Sequence, residues 1–226
     1  MNRQLKRIDN SPYVTIGLLG IMVIVFLLMT VMGGSTNTYV LIQFGAKVSS
    51  LIQAGQWWRL FTPVFLHIGF EHILLNGITL YFLGLQIERI FGHWRYFIIF
   101  VVTAIGGNLA SFVFSPNSLS AGASTAIFGL FGAFLMLGES FWENPYIRQM
   151  TKTFALFIVL NLGFDLLSPG IDLSGHIGGL VAGFLIGYVV ALPKNILGKV
   201  SVAKRVIAVV VLIVGFVWLY EMGMNA

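Results

Sequence analysis

Seven apolar stretches follow one another along the chain. Each has about the 17 to 25 predominantly apolar residues that an α-helix needs to cross the hydrocarbon core of a bilayer. Seven helices of this length leave little of the 226 residues for anything else. The pattern therefore predicts an all-α polytopic membrane protein with spans at residues 13–33, 67–87, 97–115, 121–138, 153–169, 173–192 and 206–222.

The composition agrees with a membrane protein and narrows its chemistry. Hydrophobic residues make up 58% of the chain and charged residues only 9%, as is typical of polytopic membrane proteins. There is no cysteine, so disulfides, thiolate nucleophiles and cysteine metal sites are excluded. The charged start of the chain resembles a signal peptide, but the first stretch is long enough to span and lacks a clear cleavage motif. We therefore expect a retained helix.

The basic residues follow the predicted spans in an alternating pattern. Only Lys47 and Arg59 of the thirteen lie in the segments after spans one, three and five. The other eleven are Arg3, Lys6, Arg7, Arg89, Arg95, Arg148, Lys152, Lys194, Lys199, Lys204 and Arg205. The positive-inside rule then predicts a cytoplasmic amino terminus and an external carboxyl terminus. The net charge of +5 reports topology and gives no indication of a nucleic-acid partner.

These assignments divide the chain into three parts. Residues 1–12 are predicted to form a cytoplasmic tail, residues 13–192 a six-helix core, and residues 193–226 a cytoplasmic linker with a seventh helix. The one long connection, residues 34–66, lies outside by the charge count. Its tryptophans among polar residues are typical of a segment at the membrane interface.

Polar side chains collect at the predicted outer end of three spans. His67, His72 and Asn76 lie early in span two, Ser124 opens span four and His176 opens span six. Polar groups in such apolar stretches cost free energy unless they are paired or functional. A serine hydroxyl becomes a nucleophile when a neighbouring imidazole takes its proton. The shared end of the membrane therefore predicts a Ser124–His176 pair for nucleophilic catalysis.

Each member of this pair also has a structural interpretation. A lone serine in a membrane helix usually bonds to its own backbone or to a neighbour, whereas an ionisable group in the membrane is functional by default. The only acid near His176 in sequence is Asp172, in a segment that should be wet. We therefore expect a dyad of Ser124 and His176 rather than a triad.

Glycines recur in the two spans that carry the pair. They are Gly122, Gly129 and Gly132 in span four and Gly175, Gly179, Gly183 and Gly187 in span six. Small residues let membrane helices approach closely, which a direct hydrogen bond between the two side chains requires. Such faces are also ordinary packing devices, so the glycines predict proximity but not chemistry.

The histidines of span two allow two kinds of site. His72 and Asn76 are four residues apart and share a helix face, and both can donate hydrogen bonds to a developing oxyanion. The alternative is a metal site built from His67, His72 and His176. The lack of an HExxH motif and the scarcity of acids nearby favour the oxyanion interpretation.

Together these motifs resemble the rhomboid family of intramembrane serine proteases over nearly the whole chain. They are Trp58-Arg59 in the long connection, His67-x4-His72-x3-Asn76 in span two, Glu88-Arg89 after it, Gly122-x-Ser124 in span four, and His176-x2-Gly179-x3-Gly183 in span six. Each is weak alone, but their order, spacing and shared side of the membrane are specific together.

The resemblance implies a rhomboid-like six-helix bundle and a set of catalytic roles. Ser124 would be the nucleophile and His176 the base. The oxyanion would be bound by His72, Asn76 and the backbone N–H of Ser124. No cofactor or metal is implied.

Supporting positions follow from the same resemblance. Phe128 falls where the family carries an aromatic that packs on the catalytic imidazole, and Trp58-Arg59 would help to hold the long connection. The site would lie in a water-filled cavity open to the outside and reached laterally by a substrate helix. The seventh helix looks like the additional carboxyl-terminal helix of some members.

Thr125 departs from the family pattern, which usually reads Gly-x-Ser-Gly. A β-branched residue there reduces backbone freedom beside Ser124 and adds bulk near the oxyanion pocket. Threonine is still small, so we expect tuned rather than abolished activity.

The leading hypothesis is an intramembrane serine endopeptidase of a bacterial plasma membrane that cleaves transmembrane proteins near the extracytoplasmic end of their helix. The alternative is a non-catalytic rhomboid-like protein that binds membrane clients, although such relatives typically lack the serine or the histidine. A transporter is disfavoured because no span is conspicuously broken and inverted repeats are not evident.

Overall fold

The computed structural model describes residues 11–168, 170–190 and 198–226, and most of these residues are helical. They form nine α-helices, two 3₁₀ turns and an isolated β-bridge, which confirms the predicted all-α class for the described part of the chain. The helices are α1 (Tyr13–Val31), α2 (Thr38–Phe44), α3 (Ser49–Gln53), α4 (Gly69–Phe91), α5 (His93–Phe114), α6 (Ser124–Ser140), α7 (Pro145–Leu167), α8 (Leu173–Val190) and α9 (Val202–Met224).

Six of the helices in the described ranges are long and apolar enough to cross a membrane, namely α1, α4, α5, α7, α8 and α9. The span predicted at residues 121–138 corresponds to α6, which has only 17 residues. At 1.5 Å per residue α6 is about 26 Å long, against about 30 Å of hydrocarbon. Most of its side chains are buried, and it packs against α4, α5, α7 and α8. α6 is therefore the central helix of the bundle.

Several helices extend beyond their predicted apolar stretches. α7 begins at Pro145, eight residues before the predicted start, and the side chain of Asn144 caps it by accepting hydrogen bonds from two N–H groups of the first turn. The early turns carry Arg148 and Lys152. Hydropathy measures the apolar length of a segment, whereas capping and backbone hydrogen bonds set where the helix starts. The predicted start of span five was therefore wrong.

The long connection at residues 34–66 contains α2, α3 and two 3₁₀ turns, at Trp57–Leu60 and Thr62–Phe65. Both of its basic side chains are buried. The Lys47 ammonium donates to the carbonyl oxygen of Ser115 at 2.6 Å, and burial lowers the pKa of this amine to about 8. The two charges that interrupt the alternating pattern therefore fasten this connection.

Arg59 holds the connection from within. Its guanidinium donates to the carbonyl oxygens of Ile42 at 2.9 Å and Ala46 at 2.8 Å, and to the side chain of Gln56 at 2.8 Å. Trp58 is 43% exposed and makes an edge contact with Trp57. These contacts tie the 3₁₀ turn at residues 57–60 to the segment around α2.

The opposite end of the bundle is organised by Glu88 near the end of α4. Its buried carboxylate accepts hydrogen bonds from the N–H groups of Val14 and Thr15 at 3.0 and 2.9 Å, and it lies 2.5 Å from the imidazole of His93. The first N–H groups of a helix have no partner inside that helix. Glu88 therefore caps α1 and joins it to α4 and α5.

α6 and α8 meet along what we call the glycine seam, formed by Gly129 and Gly132 of α6 with Gly179 and Gly183 of α8. A Cβ atom on Gly179 would collide with the carbonyl oxygen of Thr125, and one on Gly183 with the carbonyl oxygen of Gly129. A Cβ on Gly132 would meet the α8 backbone in the same way. The backbones are in direct contact, as the glycine pattern predicts.

α9 packs on the outer faces of α5 and α8. Its last turn reaches the long connection, where the side-chain amide of Gln53 donates to the carbonyl oxygen of Gly223 at 2.8 Å. Near its first turn, Lys204 forms an ion pair with Glu139 at the end of α6. Residues 1–10 of the predicted tail and residues 191–197, which include most of the predicted start of the linker, lie outside the described residues.

Candidate active site

Ser124 is the first residue of α6, and the turn before it is braced by the long connection. The N–H of Gly122 donates to the carbonyl oxygen of Pro63 at 2.9 Å, and Ser120 pairs with Lys47 in the isolated β-bridge. Gly122 has a φ of +137°, which disfavours any side chain. The strand-like bridge and the glycine turn fix where Ser124 enters the bundle.

His176 lies in the first turn of α8, and Asp172 organises that turn. Asp172 Oδ1 accepts hydrogen bonds from the Ser174 hydroxyl at 2.7 Å and the Gly175 N–H at 3.0 Å, while Oδ2 accepts from Ser120 at 2.5 Å. Asp172 therefore acts as a capping residue at the helix start.

The Ser124 hydroxyl and the His176 imidazole are in hydrogen-bond contact. Ser124 Oγ lies 2.8 Å from His176 Nε2, although the residues are 52 positions apart. The glycine seam makes this contact feasible because α6 and α8 lie backbone to backbone just beyond it. The structure thus brings together the two side chains that the sequence selected.

Asp165, in the last turn of α7, is the residue that sequence reasoning missed. Its Oδ2 lies 2.6 Å from His176 Nδ1, and both side chains are buried. Asp172 is the acid nearest to His176 along the chain, whereas Asp165 reaches the imidazole from the preceding helix. The available signal was a carboxylate inside the predicted span 153–169, where an ionisable group is costly and marks a function by default.

Phe128, one turn after Ser124, packs on the imidazole. The ring centroids of Phe128 and His176 are 4.4 Å apart and the rings are stacked at 16°. Phe128 is buried. The imidazole is thus held at both nitrogens and on one face.

His72 and Asn76 lie beside the serine turn in the first part of α4. The Ile68 N–H donates to His72 Nδ1 at 3.3 Å, so the neutral ring carries its proton on Nε2. A Cβ on Gly122 would lie 2.8 Å from that Nε2. Asn76 uses one N–H to donate to the His72 carbonyl oxygen at 3.0 Å. Both side chains therefore keep an N–H donor near Ser124.

His67 is fully buried immediately before α4. Its ring makes an edge contact with His72 at 5.2 Å, and its Nε2 accepts a hydrogen bond from the Ala123 N–H at 3.4 Å. An imidazolium has no acceptor nitrogen, so a ring that accepts this hydrogen bond is neutral. His67 is therefore a neutral brace for the turn before Ser124.

Thr125 occupies space that two glycines leave open. A Cβ on Gly107 of α5 would lie 2.7 Å from the Thr125 Cβ, and one on Gly175 of α8 would lie 3.2 Å from its methyl group. The Thr125 hydroxyl is buried without a hydrogen-bond partner among the described residues. The Thr125 side chain therefore fits between α5 and α8, because Gly107 and Gly175 have no side chains there.

A cavity of about 410 Å³ extends from the serine between α4 and α7. Ser124, His176 and Asn76 contribute to its lining, and Asp165 and Phe128 lie beside them. The rest is mostly apolar, with three further polar side chains, Thr79, Gln86 and Asn161. The arrangement places a nucleophile, a base and hydrogen-bond donors along an apolar groove.

The alternative site is a metal centre built from His67, His72 and His176. No group of three or more histidine or carboxylate side chains in residues 11–168, 170–190 and 198–226 is arranged to hold a metal ion. His67 and His72 each use one ring nitrogen to accept a backbone N–H, and His176 uses both of its ring nitrogens, on Ser124 and Asp165.

Comparison with known proteins identifies relatives. The chain matches the Rhomboid domain over residues 54–193. It is 41% identical over 213 residues, or 93% of its length, to the rhomboid protease GluP of Bacillus subtilis, of which it covers 41%. It is 34% identical over 146 residues, or 62% of its length, to the putative rhomboid protease YdcA of the same organism, of which it covers 71%.

Eukaryotic proteins are similar as well. RHOMBOID-like protein 4 of Arabidopsis thaliana is 37% identical over 154 residues, which is 67% of this chain and 38% of that protein. The chain thus spans about two fifths of the length of several of the relatives it matches. The domain match covers more than half of the chain and includes Ser124, His176, His72 and Asn76, and on this ground the chain belongs to the rhomboid family.

Proposed function

We propose that this protein is an intramembrane serine endopeptidase that cleaves transmembrane proteins through a Ser124–His176 pair. The relatives named as rhomboid proteases support the reaction class. The observation that carries the proposal is the 2.8 Å contact between Ser124 Oγ and His176 Nε2 at the edge of an apolar cavity.

His176 activates the nucleophile in this mechanism. Nε2 takes the proton of the Ser124 hydroxyl as Oγ attacks the carbonyl carbon of the scissile peptide bond. The protonated imidazole then gives that proton to the leaving amine, and an ester of Ser124 remains. Water, deprotonated by His176, hydrolyses the ester and regenerates both side chains.

The oxyanion formed in each step is bound at the start of α6. Ser124 is the first residue of the helix, so its backbone N–H has no partner inside α6 and lies at the positive end of the helix dipole. The Nε2–H of His72 and an N–H of Asn76 border the same space. Such preorganised donors are usually the largest single contribution to acyl-transfer catalysis.

The groove between α4 and α7 suits a helical substrate. Its walls are mostly apolar, and its polar groups lie at the serine and on both walls, with Thr79 and Gln86 on α4 and Asn161 on α7. A transmembrane helix satisfies its peptide groups internally, so a peptide bond becomes accessible to Ser124 only where the helix unwinds. We therefore expect substrates with glycine, proline or other helix-weakening residues near the cleavage site.

The chain is an integral membrane protein, and we infer that its site faces the extracytoplasmic side of a bacterial plasma membrane. The alternation of basic residues supports this orientation. Lys47 and Arg59, the two exceptions, are buried and donate hydrogen bonds to carbonyl oxygens. Neither therefore contributes a free charge to the outer side. Cleavage would then occur near the extracytoplasmic end of the substrate helix.

Proteolysis by the purified protein tests the proposal. In liposomes that contain a single-span substrate, Ser124→Ala and His176→Ala should each abolish cleavage, because one removes the nucleophile and the other the base. Ser140→Ala, at the far end of the same helix, is the matched control and should cleave like the wild type.

A fluorophosphonate probe separates this proposal from a non-catalytic client-binding protein. The probe should label the wild type and the Ser140→Ala variant but not Ser124→Ala. Cleavage that persists in either Ala variant of the pair, or a wild type that neither cleaves nor labels, would show that the protein is not a serine protease of this mechanism.

A further inference from the structure

We propose that Asp165 is a positioning residue that fixes the tautomer and orientation of the His176 imidazole. The inference rests on the proposed function, because it assigns a role towards the base of that reaction. It goes beyond the two-residue pair by joining a third side chain, from α7, to the catalytic group.

The contacts on the two ring nitrogens carry the argument. Asp165 Oδ2 lies 2.6 Å from Nδ1, and Ser124 Oγ lies 2.8 Å from Nε2. An ionised carboxylate can only accept hydrogen bonds, so the proton of the neutral ring is on Nδ1. The lone pair of Nε2 then faces the Ser124 hydroxyl. This is the tautomer that a general base requires.

Burial restricts the Asp165 carboxylate to His176 as its partner. Asp165 and His176 are 8% and 7% exposed, and a carboxylate in such surroundings is costly unless it is paired. In the described part of the chain, the Asp165 side chain has a hydrogen bond to His176 and to no other group. When Nε2 takes the serine proton, the imidazolium therefore forms directly beside a counter-charge.

Phe128 completes the restraint on the ring. It stacks on one face of the imidazole at 4.4 Å, which limits tilting but leaves rotation in the ring plane free. The hydrogen bond from Nδ1 to Asp165 opposes that rotation. The two side chains thus restrict different movements of the same base.

The order of activity loss in two Asp165 variants distinguishes a positioning role from a packing role. The amide N–H₂ of Asp165→Asn can donate to Nδ1, which moves the ring proton to Nε2 and blocks the base, while the shape stays the same. Asp165→Ala creates a space but leaves the tautomer free. A packing role predicts that Asn is milder than Ala, whereas a positioning role predicts that Asn is at least as damaging.

The experiment measures cleavage of a transmembrane substrate in liposomes, fluorophosphonate labelling of Ser124 and the unfolding temperature. For Asp165→Asn we expect kcat to fall by about tenfold to about 10⁴-fold, with KM and the unfolding temperature unchanged. Asp165→Ala should be no worse in kcat. Thr153→Ala, a polar-to-alanine change on the same helix at a side chain that bonds only to the Gln149 carbonyl oxygen, is the matched control.

Three results would overturn the inference: wild-type kcat in Asp165→Asn, a milder effect of Asn than of Ala, or an Asn variant that does not fold while Thr153→Ala does. A wild type that does not cleave the substrate contradicts the proposed function instead. In that case the labelling rate of Ser124 decides about Asp165, because labelling needs the same activated hydroxyl.

Discussion

The two sides of His176 are built in opposite ways. On one side the glycine seam joins α6 and α8 backbone to backbone, and side chains larger than hydrogen do not fit at Gly179 or Gly183. On the other side α7 leaves a cavity of about 410 Å³ towards α4. Much of the α7 surface is exposed, including Phe157 and Leu160.

The tightly packed side fixes the geometry of the two side chains, whereas the loosely packed side leaves room for a molecule to enter. Ser124 and His176 lie on the two helices that cannot move apart without breaking backbone contacts, so their geometry is fixed by the seam. The groove lies on the loosely packed side, where a helix entering between α4 and α7 would displace few contacts. Asp165 links the two sides, because it lies on α7 but contacts His176 of α8.

One glycine-to-alanine substitution on each side gives the largest expected contrast. In Gly183→Ala the new Cβ collides with the Gly129 carbonyl oxygen, and backbone cannot yield as a flexible side chain does. We expect a loss of about 3 kcal/mol or more in stability. Cleavage should fall by about 10²-fold or more, because small displacements between α6 and α8 misplace the base.

Gly163→Ala on α7 is the matched control. No atom lies within 4 Å of the position that its Cβ would take, so the change gains up to about 1 kcal/mol of helix propensity and leaves cleavage unchanged. Thermal or denaturant unfolding in detergent and a cleavage assay measure both variants. Equal effects at the two positions would contradict the proposed difference in packing.

Thr125 tests the seam side on a smaller scale. Thr125→Gly removes the side chain that fills the space beside Gly107 and Gly175 and adds backbone freedom, so we expect a loss of about 1 to 3 kcal/mol in stability. Thr125→Val keeps the shape and removes a buried hydroxyl without a partner in the described chain. It should match or exceed the wild type by about 1 kcal/mol.

Cleavage by both Thr125 variants should stay within about tenfold of the wild type, since Ser124 and His176 are retained and a tenfold change is only about 1.4 kcal/mol in the barrier. Unfolding measurements and the liposome assay check the two expectations separately. A glycine variant as stable as the wild type would show that Thr125 does not fill the gap between α5 and α8.

The sequence predicted the seam side well because its signals are strong and local. Glycines at four-residue spacing predict close helices, and topology brings Ser124 and His176 to the same end of their spans. The aromatic position of Phe128 came from family resemblance, whereas the spacing of His72 and Asn76 already indicated an oxyanion site. The structure puts all three beside the pair.

The features that the sequence did not predict depend on contacts between different segments, which hydropathy does not encode. Asp165 was missed because hydropathy does not show that the last turn of α7 packs against the first turn of α8, where His176 lies. The helices α2 and α3 of the long connection are short and were not predicted. Lys47 stood out in the sequence only as an exception to the charge pattern, which does not indicate that it is buried against Ser115 and Ser118.

The smallest expected effect concerns a contact between α7 and α4 on the loosely packed side. The Tyr146 hydroxyl donates to the Gln86 side chain of α4 at 3.2 Å, at the end of the groove far from Ser124. Tyr146→Phe removes this hydrogen bond between partly exposed groups, so stability should fall by about 1 kcal/mol or less. If substrates enter between α4 and α7, the same change favours separation of the two helices. We expect kcat/KM for a transmembrane substrate to rise by about twofold to fivefold.

A soluble peptide substrate distinguishes access from chemistry in this variant. Such a peptide does not require α4 and α7 to separate along the membrane, so its cleavage by Tyr146→Phe should equal that of the wild type. Tyr39→Phe, at an exposed tyrosine of α2, should change neither rate. A Tyr146→Phe variant that cleaves both substrates more slowly would mean that the contact stabilises the active bundle, and the groove between α4 and α7 would then not be the loose side of the molecule.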